Sequence, residues 1–183
     1  SAQLFKQIEG LYSPISEQIA FSINPLMDGA LEASSPDSVA AYWQEIHDFR
    51  SKVYSLNDDV DVLKQKVEII LTAYERAHSL DSSLQSKLMK LRDKVMNLEN
   101  QMNGSDVRSE VGAQNEYPTI WTYLWSASGA SRSSYGPTKT HLSSFQIARE
   151  LYTKLEQDYK DLNSSLEPLE DLMNQIEAPT IKK

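Results

Sequence analysis

From Asp37 to Asn103 the chain contains neither Gly nor Pro, and its apolar residues recur at one interval. Tyr42, Ile46, Phe49, Val53, Leu56, Val60, Leu63, Val67, Ile70, Tyr74 and Ala77 alternate steps of four and three. That stripe puts one apolar face on an α-helix, whereas a strand would alternate every second residue. At 1.5 Å per residue, a helix carrying it runs for about 54 Å. The stripe changes phase through Leu80, Leu84 and Leu88, then resumes at Leu91, Val95, Leu98 and Met102. Ser79, Asp81, Ser82 and Ser83 sit at the break, and all are residues that cap a helix N-terminus. The pattern predicts a helical hairpin over 37–103, turning near residues 79–83. The competing reading is one rod of about 100 Å with a stutter. Asn57-Asp58-Asp59 is a weaker candidate for a bend.

A second interval free of Gly and Pro runs from Thr138 to Glu167. Leu142, Phe145, Ala148, Leu151, Leu155, Tyr159, Leu162, Leu166, Leu169, Met173 and Ile176 keep helical spacing there, so a C-terminal helix is expected over 138–177, kinked or restarted at Pro168. The first 34 residues are broken by Pro14 and Pro25, yet Leu4, Ile8, Leu11, Ile15, Ile19, Ile23, Leu26 and Ala30 also keep a three-and-four rhythm. This predicts N-terminal helices, with Ser13-Pro14 and Ser35-Pro36 each reading as an N-cap followed by Pro at the first helical position. Residues 104–137, rich in Gly, Ser and aromatics, form an irregular connector with a short helix around Thr119–Trp125. The expected fold is all-α: one domain over 1–183, an antiparallel bundle of about four long helices.

A length of 183 residues fits that single domain, at roughly 150 residues per domain. Hydrophobic residues at 40% and a mean hydropathy of -0.49 fit a folded, soluble chain. No stretch approaches the roughly 20 apolar residues of a membrane span. The opening Ser-Ala-Gln-Leu-Phe lacks an initiator Met, a basic region and an apolar core, and reads as a processed or cut end rather than a targeting signal. Cysteine is absent, which removes disulfides, thiolate catalysis and sulfur-based zinc sites. The net charge of -8 argues against nucleic acid and against an acidic membrane surface, since both demand clustered Lys and Arg.

Candidate chemistry is sparse. Glu75-Arg-Ala-His78 has the Glu-x-x-His spacing of carboxylate-bridged di-iron proteins, but those sites need the motif twice, and neither His47 nor His141 has a Glu three residues before it. Asn57, Asp58, Asp59 and Asp61 suggest calcium, yet the sixth position counted from Asn57 is Val62, where an EF-hand loop requires Gly. No Gly-x-Ser-x-Gly elbow, phosphate loop or His-Glu-x-x-His helix is present. Glu167 with Glu170 and Asp171 reads as a solvated acidic end, and the tripeptides Asn103-Gly-Ser and Asn163-Ser-Ser match a glycosylation pattern that is common by chance. The expectation is a non-catalytic chain with no metal and no cofactor.

The unusual stretch is Tyr117-Pro-Thr-Ile-Trp-Thr-Tyr-Leu-Trp, followed by Arg132 and Tyr135. Aromatic faces on a connector can stack on sugars or anchor a protein partner, which makes Tyr117, Trp121, Tyr123, Trp125, Arg132 and Tyr135 the candidate surface. The alternative is that Ile120, Trp121, Leu124 and Trp125 form one face of a short helix that plugs the bundle.

From Tyr117-Pro118-Thr119, through Gly136-Pro137-Thr138, to Ala178-Pro179, the chain resembles the C-terminal helical region of bacterial sortilin-like, BNR-repeat β-propeller proteins, often labelled glycosyl hydrolases. About sixty residues carry the resemblance, and the helical hairpin before them fits it more loosely. It implies a C-terminal fragment whose partner is the propeller of the same polypeptide, in a protein exported to the periplasm or beyond. The Asp-box signature of a propeller blade (Ser-x-Asp-x-Gly-x-Thr-Trp) does not occur, so the resemblance assigns no catalytic residue here.

The leading expectation is therefore a helical interaction or scaffolding domain, packed on a neighbouring domain, on another protein or on a second copy as a homodimer, without nucleic acid or membrane insertion. A glycan-binding accessory module using the aromatic connector is the first alternative. Part of a glycosyl hydrolase whose catalytic residues lie outside the chain is the second. A helical sensory domain is a further reading, with no flanking transmembrane helix to support it.

Overall fold

The computed structural model describes residues 1–23, 33–77, 82–115, 117–129 and 135–175, the side chains of 106, 170 and 173–175 apart. The described chain is mostly helical with one small two-stranded sheet. It divides into two compact units, Ser1–Glu32 and Ala33–Lys183.

The first unit corrects the sequence reading in kind. Strands β1 (Phe5–Ile8) and β2 (Leu11–Pro14) pair antiparallel, Phe5 opposite Pro14 and Ile8 opposite Leu11. Between them lies a two-residue turn of Glu9 and Gly10, with φ of 50° and 84°. Positive φ at both turn positions matches the twist of the flanking strands, and Gly10 adopts it without steric cost. The ladder continues through the Ile15 N–H donating to the Leu4 carbonyl, and Ala2 and Ile19 exchange two 2.9 Å bonds. Helical spacing is imitated here by strand register. Residues 4 and 8 share a face because they are an even number apart, as do 11 and 15, and the turn sets Ile8 against Leu11. Pro14 is therefore the last residue of a strand rather than a helical N1 position, and Ser13 caps no helix. Pro25, the second expected break, lies outside the described residues.

In the second unit, α1 (Pro36–Glu75) begins as expected, with the Ser35 hydroxyl accepting from the Ser38 N–H and Pro36 at the start. It runs unbroken through Asn57-Asp58-Asp59, so no bend forms there. The helix α2 (Ser82–Asn103) returns alongside it. Lys64 pairs with Glu99 at 2.7 Å and Glu68 with Arg92 at 3.0 Å, and the opposed order of these pairs makes the two helices antiparallel neighbours. Residues 37–103 thus hold two antiparallel helices and not one rod; of the turn expected near 79–83, residues 79–81 lie outside the described residues and 82–83 already belong to α2. A short α3 (Asp106–Glu110) follows, then α4 (Ile120–Ser128), α5 (Lys139–Ser164) and α6 (Glu167–Gln175).

Their lengths explain the packing. At 1.5 Å per residue α1 spans about 60 Å and α2 about 33 Å, so α2 leaves the first part of α1 uncovered. Asn103, closing α2, donates to Asn57 at 2.9 Å, and α4 covers α1 from that level back towards its start. Trp121 at its beginning stacks on Tyr54, and Ala127 near its end accepts from the Tyr42 hydroxyl. The helix α5, capped by a reciprocal Thr138/His141 box, then runs beside α1 in the same direction. Its Phe145 meets Tyr42 and Phe49, and its Tyr152 meets Phe49 further along. α5 stops at Ser164, and Pro168 falls in the first turn of α6, where its missing N–H removes no helical bond. Only α1, α2 and α5 exceed twenty residues among the described helices, and α1 and α5 are parallel. The expected four long antiparallel helices are corrected on both points, because the segment counted as the fourth is the β-hairpin.

The core is the stripe itself. Val53, Leu56, Val60, Leu63 and Val67 from α1 meet Leu88, Leu91, Val95, Leu98 and Met102 from α2, all buried, with Ile120, Leu124, Phe145, Ala148 and Leu155 from the later helices. No described helix is long and apolar enough to cross a membrane.

Candidate functional site

The aromatic connector divides on folding. Ile120, Leu124 and Ala127 point inward from α4 and are buried. Trp121 is partly buried: its ring lies 4.8 Å from that of Tyr54, and its indole N–H donates to Asn103 Oδ1 at 2.9 Å. Tyr123 is also packed against the core. Trp125 is 82% exposed and Tyr117 is 75% exposed. Tyr135 stays on the surface while its carbonyl accepts from the Ser34 N–H at 3.1 Å. Arg132 lies outside the described residues. The candidate surface is therefore two rings seated against the helices, Trp121 and Tyr123, and three exposed, Tyr117, Trp125 and Tyr135. Of the plug face, Ile120 and Leu124 are buried, Trp121 is half-seated and Trp125 is outside.

Beside Tyr117 lies a cleft of about 630 Å³, formed where α2 ends, the connector passes and α5 crosses. Its apolar part is Leu151, Leu155 and Pro118. The polar wall carries the carboxamides of Asn97, Asn100, Gln101 and Asn115, and Arg108 and Lys154 supply cations. Gly104 makes the wall possible. It ends α2 with φ of 87°, its N–H donating to the Asn100 carbonyl. A Cβ on Gly104 would sit 2.2 Å from Asn115 Nδ2, so the missing side chain is also what lets Asn115 approach. Asn115 Oδ1 then accepts from the Ser105 N–H at 3.2 Å, which fixes the carboxamide. No motif in the sequence singles out these amides as a group. The signal that marks them is the density of amides at the end of α2, with Asn97, Asn100, Gln101 and Asn103 in seven positions.

A second polar cluster lies on the seam between α1 and α5, where Asp59, Tyr152, Glu156, Tyr159 and Lys160 line a shallower depression. Burial pushes the Tyr152 phenol above its usual range, with Glu156 and Asp59 adding to the effect, and burial followed by Asp59 does the same to Tyr159. The hydrogen bond from Lys160 is the largest influence holding the Glu156 carboxyl below the usual range. Raised phenols and a salt-bridged carboxylate supply neither a general base near neutrality nor an activated nucleophile. His78 of the Glu75-x-x-His78 spacing lies outside the described residues, and among those described no group of three or more His, Asp or Glu could hold a metal ion. The acidic residues near Asn57 lie along one unbroken helix, where Asn57 itself bonds to Asp61 and Asn103.

No family model matches the chain, and no curated protein or solved structure gives a significant match.

Proposed function

We propose that the chain is a non-catalytic interaction module, in which the helices form a closed, rigid bundle and the N-terminal hairpin is the docking element. One observation carries this reading. The nine large apolar side chains between Leu4 and Ile23 are all exposed, from 52% at Phe5 to 85% at Ile23. Both faces of the hairpin contribute, Leu4, Ile8, Leu11 and Ile15 on one and Phe5 and Tyr12 on the other. A two-stranded hairpin is only marginally stable in water, and concentrated exposed apolar surface marks an interaction site. The second unit, by contrast, buries its stripes against one another.

The resemblance to sortilin-like propeller proteins adds a partner to this proposal: the β-propeller of the same polypeptide, in an exported protein. Any glycoside chemistry of such a parent would reside in that propeller. A glycan platform on the aromatic connector is less favoured, because Trp121 and Tyr123 turn towards the core while Tyr117 and Trp125 do not.

Light scattering coupled to small-angle X-ray scattering tests the reading. The chain is expected to associate with rising concentration beyond the 20.7 kDa of one copy. Replacing Ile8 and Leu11 together by Lys should return it to a monomer with unchanged helical content. A chain that stays monomeric at every concentration and takes up no apolar dye would refute the hairpin as a docking element.

A further inference from the structure

We propose that two copies of this chain join through the outer edge of β1, strand to strand and antiparallel, into one four-stranded sheet. The proposal rests on the reading of the hairpin as a docking element, and it names the occupant as a second copy held by backbone bonds. Every residue it uses lies in the first unit.

The two edges of the hairpin are not equivalent. In an antiparallel pair, residues whose N–H and C=O point at the partner strand alternate with residues whose groups point away. The Ile15 N–H donates to the Leu4 carbonyl, and Ala2 exchanges two bonds with Ile19, so Ala2, Leu4, Lys6 and Ile8 face β2. Gln3, Phe5 and Gln7 therefore present their backbone groups outward, and among the described residues no backbone bond outside the strand pair reaches them. The β2 edge offers less. Its outward positions are Tyr12 and Pro14, and Pro14 has no N–H to give. Beyond Pro14 the pairing passes from Leu4–Ile15 to Ala2–Ile19, a bulge in which the Ser16 hydroxyl accepts the Leu4 N–H at 2.9 Å. Proline and bulges blunt a sheet edge against association, and the β1 edge carries neither.

This open edge is complementary to itself. Laid antiparallel with Phe5 opposite Phe5, it sets Gln3 of each copy against Gln7 of the other, so the outward groups of all three residues find partners. On one face the aromatic pair extends the cross-strand row to Pro14, Phe5, Phe5 and Pro14. On the other face, Leu11 and Ile8 of one copy continue into Ala2 and Ile19 of the other. Lys6, the one charge in β1, falls opposite Leu4, along which its alkyl stem can lie. Sliding one strand two residues towards the turn would set Lys6 against Lys6, which like-charge repulsion disfavours. Joining also supplies what each hairpin lacks, since two strands alone are marginal in water and a larger sheet with apolar faces is not.

The experiment combines sedimentation equilibrium with disulfide mapping on the full chain. The chain has no cysteine, so Gln3→Cys and Gln7→Cys, made singly at exposed positions, introduce one thiol each. In the proposed register positions 3 and 7 lie opposite each other, whereas like positions lie four residues out of step, about 13 Å. That exceeds the roughly 7 Å reach of a disulfide, so a mixture of the two variants under mild oxidation should form the 3-to-7 link at least about tenfold faster than either variant links to itself. Gln7→Pro removes an outward donor and no bond within the hairpin, and should weaken self-association by at least about tenfold. A 3-to-7 link that is not favoured, or association untouched by Gln7→Pro, would overturn the edge pairing. If replacing Ile8 and Leu11 by Lys still dissolved the dimer, the docking reading would stand without it. A chain that takes up apolar dye yet stays monomeric at every concentration would likewise overturn the second copy as occupant and leave that reading in place. Monomer without dye uptake would sink both.

Discussion

Asn103 closes α2 and is held from two sides. Its Oδ1 accepts the Trp121 indole N–H at 2.9 Å, and its Nδ2 donates to Asn57 Oδ1 at the same distance. One carboxamide thus ties α1, α2 and α4 together at the level where α2 gives way to α4. Removing it strands the partly buried indole donor as well as the Asn57 amide. Asn103→Ala should therefore cost about 1–2 kcal/mol, read as a lower urea midpoint with an unchanged slope. A cost below a few tenths would mean that water replaces both bonds. The Asn103-Gly-Ser tripeptide is occupied by the same contacts, since a glycan on Nδ2 would break the bond to Asn57. At this scale the sequence was partly legible. The density of aromatics in 117–125 marked the connector as special, but which rings would turn inward depended on where Tyr54, Asn103 and the core residues of α1 came to lie. The amide wall went unread because Asn and Gln on a helix surface are ordinary until a glycine and a loop bring them together.

The seam between α1 and α5 is an aromatic ladder. Tyr42, Phe145, Phe49 and Tyr152 follow one another edge to face at centroid distances of 5.4 to 5.9 Å, and Tyr159 continues along α5. Burial raises the phenols of Tyr42, Tyr152 and Tyr159 above their ordinary value of 10.0. A raised folded-state value means that the folded chain prefers the neutral phenol. Its stabilisation is complete below pH 10 and is lost as pH climbs through the raised folded values, because the unfolded chain ionises first. Above pH 10 the helical unit should thus lose stability, and Tyr152→Phe with Tyr159→Phe should reduce that loss while changing little at pH 7. Circular dichroism melts at pH 8 and pH 11 check this, and equal alkaline losses in the variant and the parent would contradict it. The stripes that make these helices were legible, because a three-and-four rhythm over tens of residues without Gly or Pro has no competing reading. The same rhythm over 4–15 did have one. In four-residue strands joined by a two-residue turn, cross-strand register reproduces helical spacing, and the decisive signal was Glu9-Gly10, a turn dipeptide that the period hid.

At the scale of the whole molecule, the two units differ in what they satisfy for themselves. The helical unit closes its apolar stripes over a core in which Val53, Leu88, Met102, Ile120 and Ala148 are fully buried, and no buried side-chain polar atom among the described residues lacks a partner. The hairpin unit buries none of its described side chains below the surface. Length and composition average over the chain, and neither can register that its first 23 residues pack no core of their own. This difference predicts how the chain opens. Backbone amides of β1 and β2 in the isolated chain should exchange with solvent orders of magnitude faster than those of Val60, Leu63 and Leu91, since local opening of an unsupported hairpin requires no rupture of the helical core. Replacing Ile8 and Leu11 by Lys should then leave the exchange of the helical-unit amides unchanged, because both side chains are exposed. Bound to a partner, the same hairpin amides should slow, since strand pairing or burial would exclude water from them. Hydrogen exchange followed by NMR reads all three. If the hairpin amides of the isolated chain were protected as strongly as those of Val60, the two units would be unfolding together, and the exposed apolar residues of the first would have a cover within the chain itself.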